Sequence, residues 1–173
     1  MRNKLKSDSG YTLVELIIVI AIIAIMSGAC MFTVSAIRTS QATASMQKFD
    51  SELSALEMRT KTQKNGEAIR IVKNDANYDV YYGTCSDGTA TTFVATSSTP
   101  DKVLERVTIY YAEDYDADSV STPLDEQVII IRKSDGQVLS GYGEYRFCKS
   151  NTSNNVGRVT LNQYTGGHTY GKN

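Results

Sequence analysis

The sequence predicts an α+β chain: one long N-terminal α-helix, its first half membrane-spanning, packed on an antiparallel β-sheet head. Three observations carry this. An uncharged apolar run extends from Leu16 to Val34. Helical spacing then continues, with apolar residues at Met46, Phe49, Leu53 and Leu56. From Glu67 onward the apolar residues recur at every second position, between Asp-Gly turn signals.

A helix over Leu16 to Val34 is close to the roughly 30 Å of a hydrocarbon core. Arg2, Lys4 and Lys6 crowd the first ten residues, against Asp8 alone. That asymmetry predicts a cytoplasmic N-terminus and an exported remainder. A secretory signal peptide is one alternative, but the apolar region exceeds the usual length of about 7–15 residues and no A-x-A-like site closes it. A plain single-span anchor is the other, and it leaves Glu15 unexplained, because a carboxylate deep in lipid costs roughly 2.5–3.5 kcal/mol. The chain as a whole has a net charge of −1, which gives no reason to expect direct nucleic-acid binding.

Beyond the span, Gln47, Lys48, Asp50, Ser51, Glu52 and Ser54 form a polar face opposite the apolar stripe, and Glu57 stands an i,i+4 step from Lys61. Asn65-Gly66 is a helix stop, so the helix is expected from Tyr11 to about Lys64. Strands are expected at Ala68–Val72 and Tyr78–Tyr82. A hairpin through Asp87-Gly88 leads to Thr92–Ala95, and Ser97–Asp101 is a loop. Val103, Glu105, Val107, Ile109 and Tyr111 alternate as one longer strand. Val128–Ile131 is apolar on both faces, as a central strand is. Asp135-Gly136 turns into Gln137–Leu139, and Tyr145–Cys148 and Arg158–Leu161 complete the sheet. One sheet face is expected to be wet and the other to cover the helix stripe. The Gly- and Tyr-rich ending, Tyr164–Asn173, reads as a surface segment.

The N-terminal residues carry a resemblance. A short basic leader, Gly10, aromatic Tyr11, Thr12-Leu13-Val14-Glu15-Leu16 and then an uninterrupted apolar helix resemble the class III signal of type IV prepilins and pseudopilins. The resemblance implies cleavage by a prepilin peptidase between Gly10 and Tyr11, N-methylation of Tyr11, and an assembly role for Glu15 toward a neighbouring subunit's N-terminal amine. Bottom-up, glycine lets the backbone enter a tight protease site in extended form. Cleavage also creates an ammonium that Glu15 can neutralise between subunits, and buried charges are tolerated when so paired. Two departures stand out: Tyr11 occupies a position that is most often Phe, and no proline precedes Pro100. Ser27-Gly28 is the alternative weak point in the helix. The stretch from Gly157 to Gly166 also looks like the last strand and turn of GspH-like minor pseudopilins.

Other candidate chemistry is sparse. Cys30 reads as a small apolar filler in the span. Cys85 and Cys148 fall in the exported part, where disulfides persist. They are either bridged, as a loose match to the C-terminal bridge of many pilins, or two free half-buried thiols. Asp114, Asp116 and Asp118 open like a calcium loop, but Ser119 and Asp125 stand where glycine and glutamate belong, which favours a solvated acidic loop. His168 is the only histidine and stands in a glycine-rich tail. Neither a catalytic motif nor a cofactor motif accompanies it, so an enzyme is not expected. Asn151-Thr152-Ser153 matches a glycosylation sequon, a pattern seldom used in the prokaryotes that the resemblance implies.

The expected organisation is therefore a leader (1–10), a transmembrane and assembly helix (11–34), an amphipathic continuation (35–65) and a sheet head (66–173). The expected function is a structural subunit of a type IV pilus-like filament. Its partners would be other pilin subunits, a prepilin peptidase, an assembly platform, an assembly ATPase and the membrane. The head would be extracytoplasmic before assembly and at the cell surface afterwards. A pseudopilin of a type II secretion or competence DNA-uptake system is the alternative within the class. A membrane-anchored adhesin or sensor head is the alternative outside it.

Overall fold

A computed structural model describes residues 12–62 and 67–172, and of 29–32 the backbone alone. Among the described residues one α-helix, α1 (Leu13–Thr62), precedes ten strands. These are β1 (Glu67–Asn74), β2 (Asn77–Cys85), β3 (Phe93–Ala95), β4 (Lys102–Leu104), β5 (Val107–Ala112), β6 (Glu126–Ile131), β7 (Val138–Ser140), β8 (Gly143–Lys149), β9 (Asn155–Leu161) and β10 (His168–Lys172). The expected α+β class is what is found. Asn65-Gly66, the expected helix stop, lies outside the described residues. The chain forms two compact units, one ending at Ile37 and the other beginning at Arg38. The second unit takes in α1 from Arg38 onward together with every strand.

In the second unit α1 turns one face inward. Ala42, Met46, Phe49, Leu53 and Leu56 are each at most 1% exposed, at helical spacings of four and three. Phe49 packs its ring 5.0 Å from Tyr145 and 5.4 Å from Phe147 of β8. Burial of each such side chain is worth roughly 1.5–3 kcal/mol relative to exposure. Ile69 and Ile71 of β1, Ile109 of β5, Ile129 and Ile131 of β6, and Val159 and Leu161 of β9 complete this core. Outward, Lys61 Nζ pairs with Glu57 Oε1 at 2.6 Å, the expected i,i+4 contact.

Every strand pairing is antiparallel, as connections too short for crossover helices require. The strands form two sheets rather than one. The larger runs β3-β2-β1-β6-β7, with β4 also on β2, and the smaller runs β10-β9-β8-β5. Gly88 and Gly136 are in the left-handed region at φ 74° and 77°, but β2 and β3 are joined by the seven residues 86–92, with a 3-10 turn at Ala90–Thr92, rather than by the expected two-residue turn at Asp87-Gly88.

Four further expectations need correction. The longer strand through Val103 and Tyr111 is broken at Arg106, whose φ is 49°. β4 stays with the larger sheet and β5 crosses to the smaller one. Alternation does not show a break of this kind, because no glycine or proline marks it. Second, the larger sheet is wet on only part of its outer face, around Arg70 and Glu126. Ala68, Cys85, Val128 and Ile130 form a second apolar cluster on that face, with Phe93 and Leu139 packed against it. Val128–Ile131 is thus covered on both faces, as its composition predicts. Third, the ending is not merely a surface segment, since β10 pairs with β9 from His168↔Leu161 to Lys172↔Gly157. Fourth, α1 runs unbroken through Ser27-Gly28, where the Ser27 hydroxyl donates to the Ile23 carbonyl at 2.7 Å.

Candidate assembly site

The helix begins with a reciprocal cap. The Thr12 carbonyl accepts the Leu16 amide at 3.2 Å, which makes Thr12 the N-cap. Its hydroxyl oxygen accepts the Glu15 amide at 3.2 Å, while its own main-chain amide donates to Glu15 Oε2 at 2.8 Å. The Thr12 hydroxyl also donates to that same oxygen, at 3.0 Å. This is the capping box that T-x-x-E encodes, with two otherwise orphaned donors satisfied by two side chains. Sequence reasoning assigned Glu15 an assembly role and missed its local one, although the Thr12-x-x-Glu15 spacing was the available signal. The glutamate is folded back over the helix terminus. Gly10 and Tyr11 themselves lie outside the described residues.

From Leu16 to Met26 α1 presents only apolar side chains, all of them exposed. Leu13 is 75% exposed, Ile17 55%, Ile20 58% and Ile25 75%. This segment is long and apolar enough to cross a membrane, and none of its apolar window is buried within the chain. Burying such a stripe requires lipid or other protein. A Cβ at Gly28 would meet nothing within 4 Å, so packing within the chain does not require glycine there.

The remaining candidates are not brought together. Cys85 and Cys148 are free, so the bridge held open from sequence is not formed. Cys85 ends β2 in the larger sheet, facing the second cluster. Cys148 sits in β8 of the smaller sheet, where its thiol donates to the Ser153 carbonyl at 3.6 Å. Burial pushes both thiols up.

Two of the three aspartates of the acidic loop are engaged by other groups. Asp118 spends its carboxylate on two guanidiniums, Arg146 at 3.0 Å and Arg158 at 3.1 Å, which hold its carboxyl below the usual range. Asp114 Oδ1 accepts the Asp116 amide at 3.3 Å, closing the loop on itself. Among the described residues no group of three or more potential ligands converges. The Asp118 pairs instead pin the loop to β8 and β9.

His168 meets the helix rather than a substrate cleft. Its Nε2 lies 3.2 Å from Ser54 Oγ and 3.4 Å from Asp50 Oδ1. A nucleophilic triad needs serine and aspartate on opposite ring nitrogens. Here both face the same one, so the trio fastens β10 to α1 and offers no proton relay.

Residues 5–31 match the family model described as the prokaryotic N-terminal methylation motif. No curated protein and no solved structure matches the chain. The matched residues include Gly10, Tyr11, the Thr12–Glu15 cap and most of the exposed apolar helix. The chain carries, over residues 5–31, the methylation motif that is the hallmark of type IV pilins and pseudopilins.

Proposed function

We propose that this type IV pilin-like precursor is cut by a prepilin peptidase between Gly10 and Tyr11 and N-methylated on Tyr11. It then polymerises through α1 as a structural subunit of a pilus-like filament. The observation that carries the reading is the exposure of every large apolar side chain from Leu13 to Ile25 immediately behind a charged N-terminal cap. Before assembly lipid satisfies that surface, with the leader cytoplasmic and the second unit extracytoplasmic. After assembly the same surface packs on neighbouring helices. Glu15 then pairs with the Tyr11 amine of the next subunit, a charge pair that sets register more than it adds stability. Assembly-platform, ATPase and other pilin partners follow from this reading. The test is filament yield from Glu15→Ala in cells that insert and process the chain. Membrane insertion persists and filaments disappear if the reading holds, and normal filaments refute it.

A further inference from the structure

The sequence holds eight arginines, of which Arg2 lies outside the described residues. Four of the others pair with carboxylates: Arg70 with Glu126, Arg132 with Asp135, and Arg146 and Arg158 with Asp118. Arg59 covers the Tyr82 ring at 3.9 Å. Arg38 and Arg106 have neither kind of partner among the described residues, and these two line one cavity of about 330 Å³. Asn77, Ser150 and Asn151 add neutral hydrogen-bonding groups to its wall, and Asp75 adds one carboxylate. A neighbouring cavity of about 250 Å³ shares Asp75 and Asn151 and brings Lys73.

The backbone here is built, not slack. Asp75, Arg106 and Asn151 all adopt left-handed conformations, at φ 55°, 49° and 59°. Three turns are thereby tied together. The Arg106 amide donates to Asn77 Oδ1 at 2.9 Å, the Val107 amide to the Ala76 carbonyl at 3.2 Å, and the Asn151 amide to Thr108 Oγ1 at 3.2 Å. An arginine in the left-handed region occupies a place that glycine or asparagine would fill more easily.

We propose that this cavity binds the phosphate of an anionic phospholipid whose headgroup bears hydroxyls. Two guanidiniums without partners suit a phosphodiester, and guanidinium recognises phosphate in bidentate fashion. Asp75 accepts hydrogen bonds and cannot donate them when ionised, so it repels a bare phosphate but suits headgroup hydroxyls. The lipid source follows from position. No charge stands between Glu15 and Arg38. Residues 16–37 rise about 33 Å as helix, which matches the hydrocarbon core and puts Arg38 in the far headgroup layer. The inference rests on the membrane-spanning reading above. An arginine close to an anionic lipid surface gains about 1 kcal/mol of attraction.

The test uses the full-length chain in phosphatidylcholine nanodiscs doped with phosphatidylglycerol, with retained lipid counted by native mass spectrometry. The wild type is expected to keep one phosphatidylglycerol. Arg38→Gln/Arg106→Gln is expected to retain it on the order of 30-fold more weakly, two contacts' worth. Arg106→Gly should lose lipid while its thermal midpoint holds or rises, and Arg132→Gln should behave as wild type. Equal retention of the two lipids, or indifference to the double variant, overturns the proposal. Binding of inorganic phosphate without phosphatidylglycerol, or of a second copy of the chain in its place, overturns it too. A chain that never enters the nanodisc refutes the membrane reading as well, whereas entry without preference refutes the lipid site alone.

Discussion

The Thr12 main-chain amide and the Glu15 carboxylate close on each other at 2.8 Å, so the acid that heads the apolar helix is also its cap. The two roles can be separated. Glutamine caps as glutamate does, but it cannot neutralise an amine. Glu15→Gln should keep the helix start and still abolish filaments, because an unpaired buried ammonium costs about 3–5 kcal/mol. Glu15→Ala should lose about 1 kcal/mol of helix capping as well. Helicity by circular dichroism and filament yield by sedimentation measure the two effects. Glu15→Gln filaments at wild-type yield would reduce Glu15 to a cap.

Glu52 is 9% exposed and accepts a hydrogen bond from the Tyr82 hydroxyl, with Arg59 stacked on the same ring. Tyr82→Phe removes the donor and strands the carboxylate, which should destabilise the second unit by about 1–3 kcal/mol. The Tyr82→Phe/Glu52→Leu double variant should recover part of that loss. Denaturant midpoints would show it, and a double variant no better than the single one would contradict the pairing.

Gly157 in β9 sits where β10 and α1 both press in. A Cβ there would strike the Gly171 carbonyl and lie 2.7 Å from Met46 Cε. Gly157→Ala should cost about 1–3 kcal/mol and release β10 first. Hydrogen exchange should show lost protection at His168–Lys172 before the core, and an unchanged pattern would show that the strands have room to shift.

Buried phenols set the alkaline limit. Burial pushes Tyr78 up to about 12, and it pushes Tyr82, Tyr111 and Tyr145 up as well. Folding therefore favours their neutral forms. That stability is complete below the ordinary value of about 10 and is lost as pH rises from there toward 12. Unfolding and tyrosinate absorbance from these four should appear together in that window. Ionisation of all eleven tyrosines near pH 10 with the fold intact would contradict the burial.

The helix and most strands were legible because their signals are local. Met46, Phe49, Leu53 and Leu56 state a buried face by spacing alone, and Val128–Ile131 states two covered faces by having no polar side. The two-sheet division was not legible, because it turns on one left-handed arginine in a sequence that alternates without interruption. β10 was missed because Gly167 and Gly171 weaken any strand signal, and pairing with β9 supplies what propensity lacks. At the candidate site, Gly10, Tyr11 and Glu15 stood out by their order along the chain. The Thr12 cap was equally plain but had been absorbed into that motif. The Arg38–Arg106 cavity joins residues far apart in sequence and could only be seen folded.

We propose that the N-terminal motif is a processing and assembly signal. Intact-mass measurement of the chain, expressed with and without a prepilin peptidase, tests it most directly. Loss of residues 1–10 and one added methyl group on Tyr11 are expected only when the peptidase is present. A full-length, unmethylated chain in both samples would contradict it.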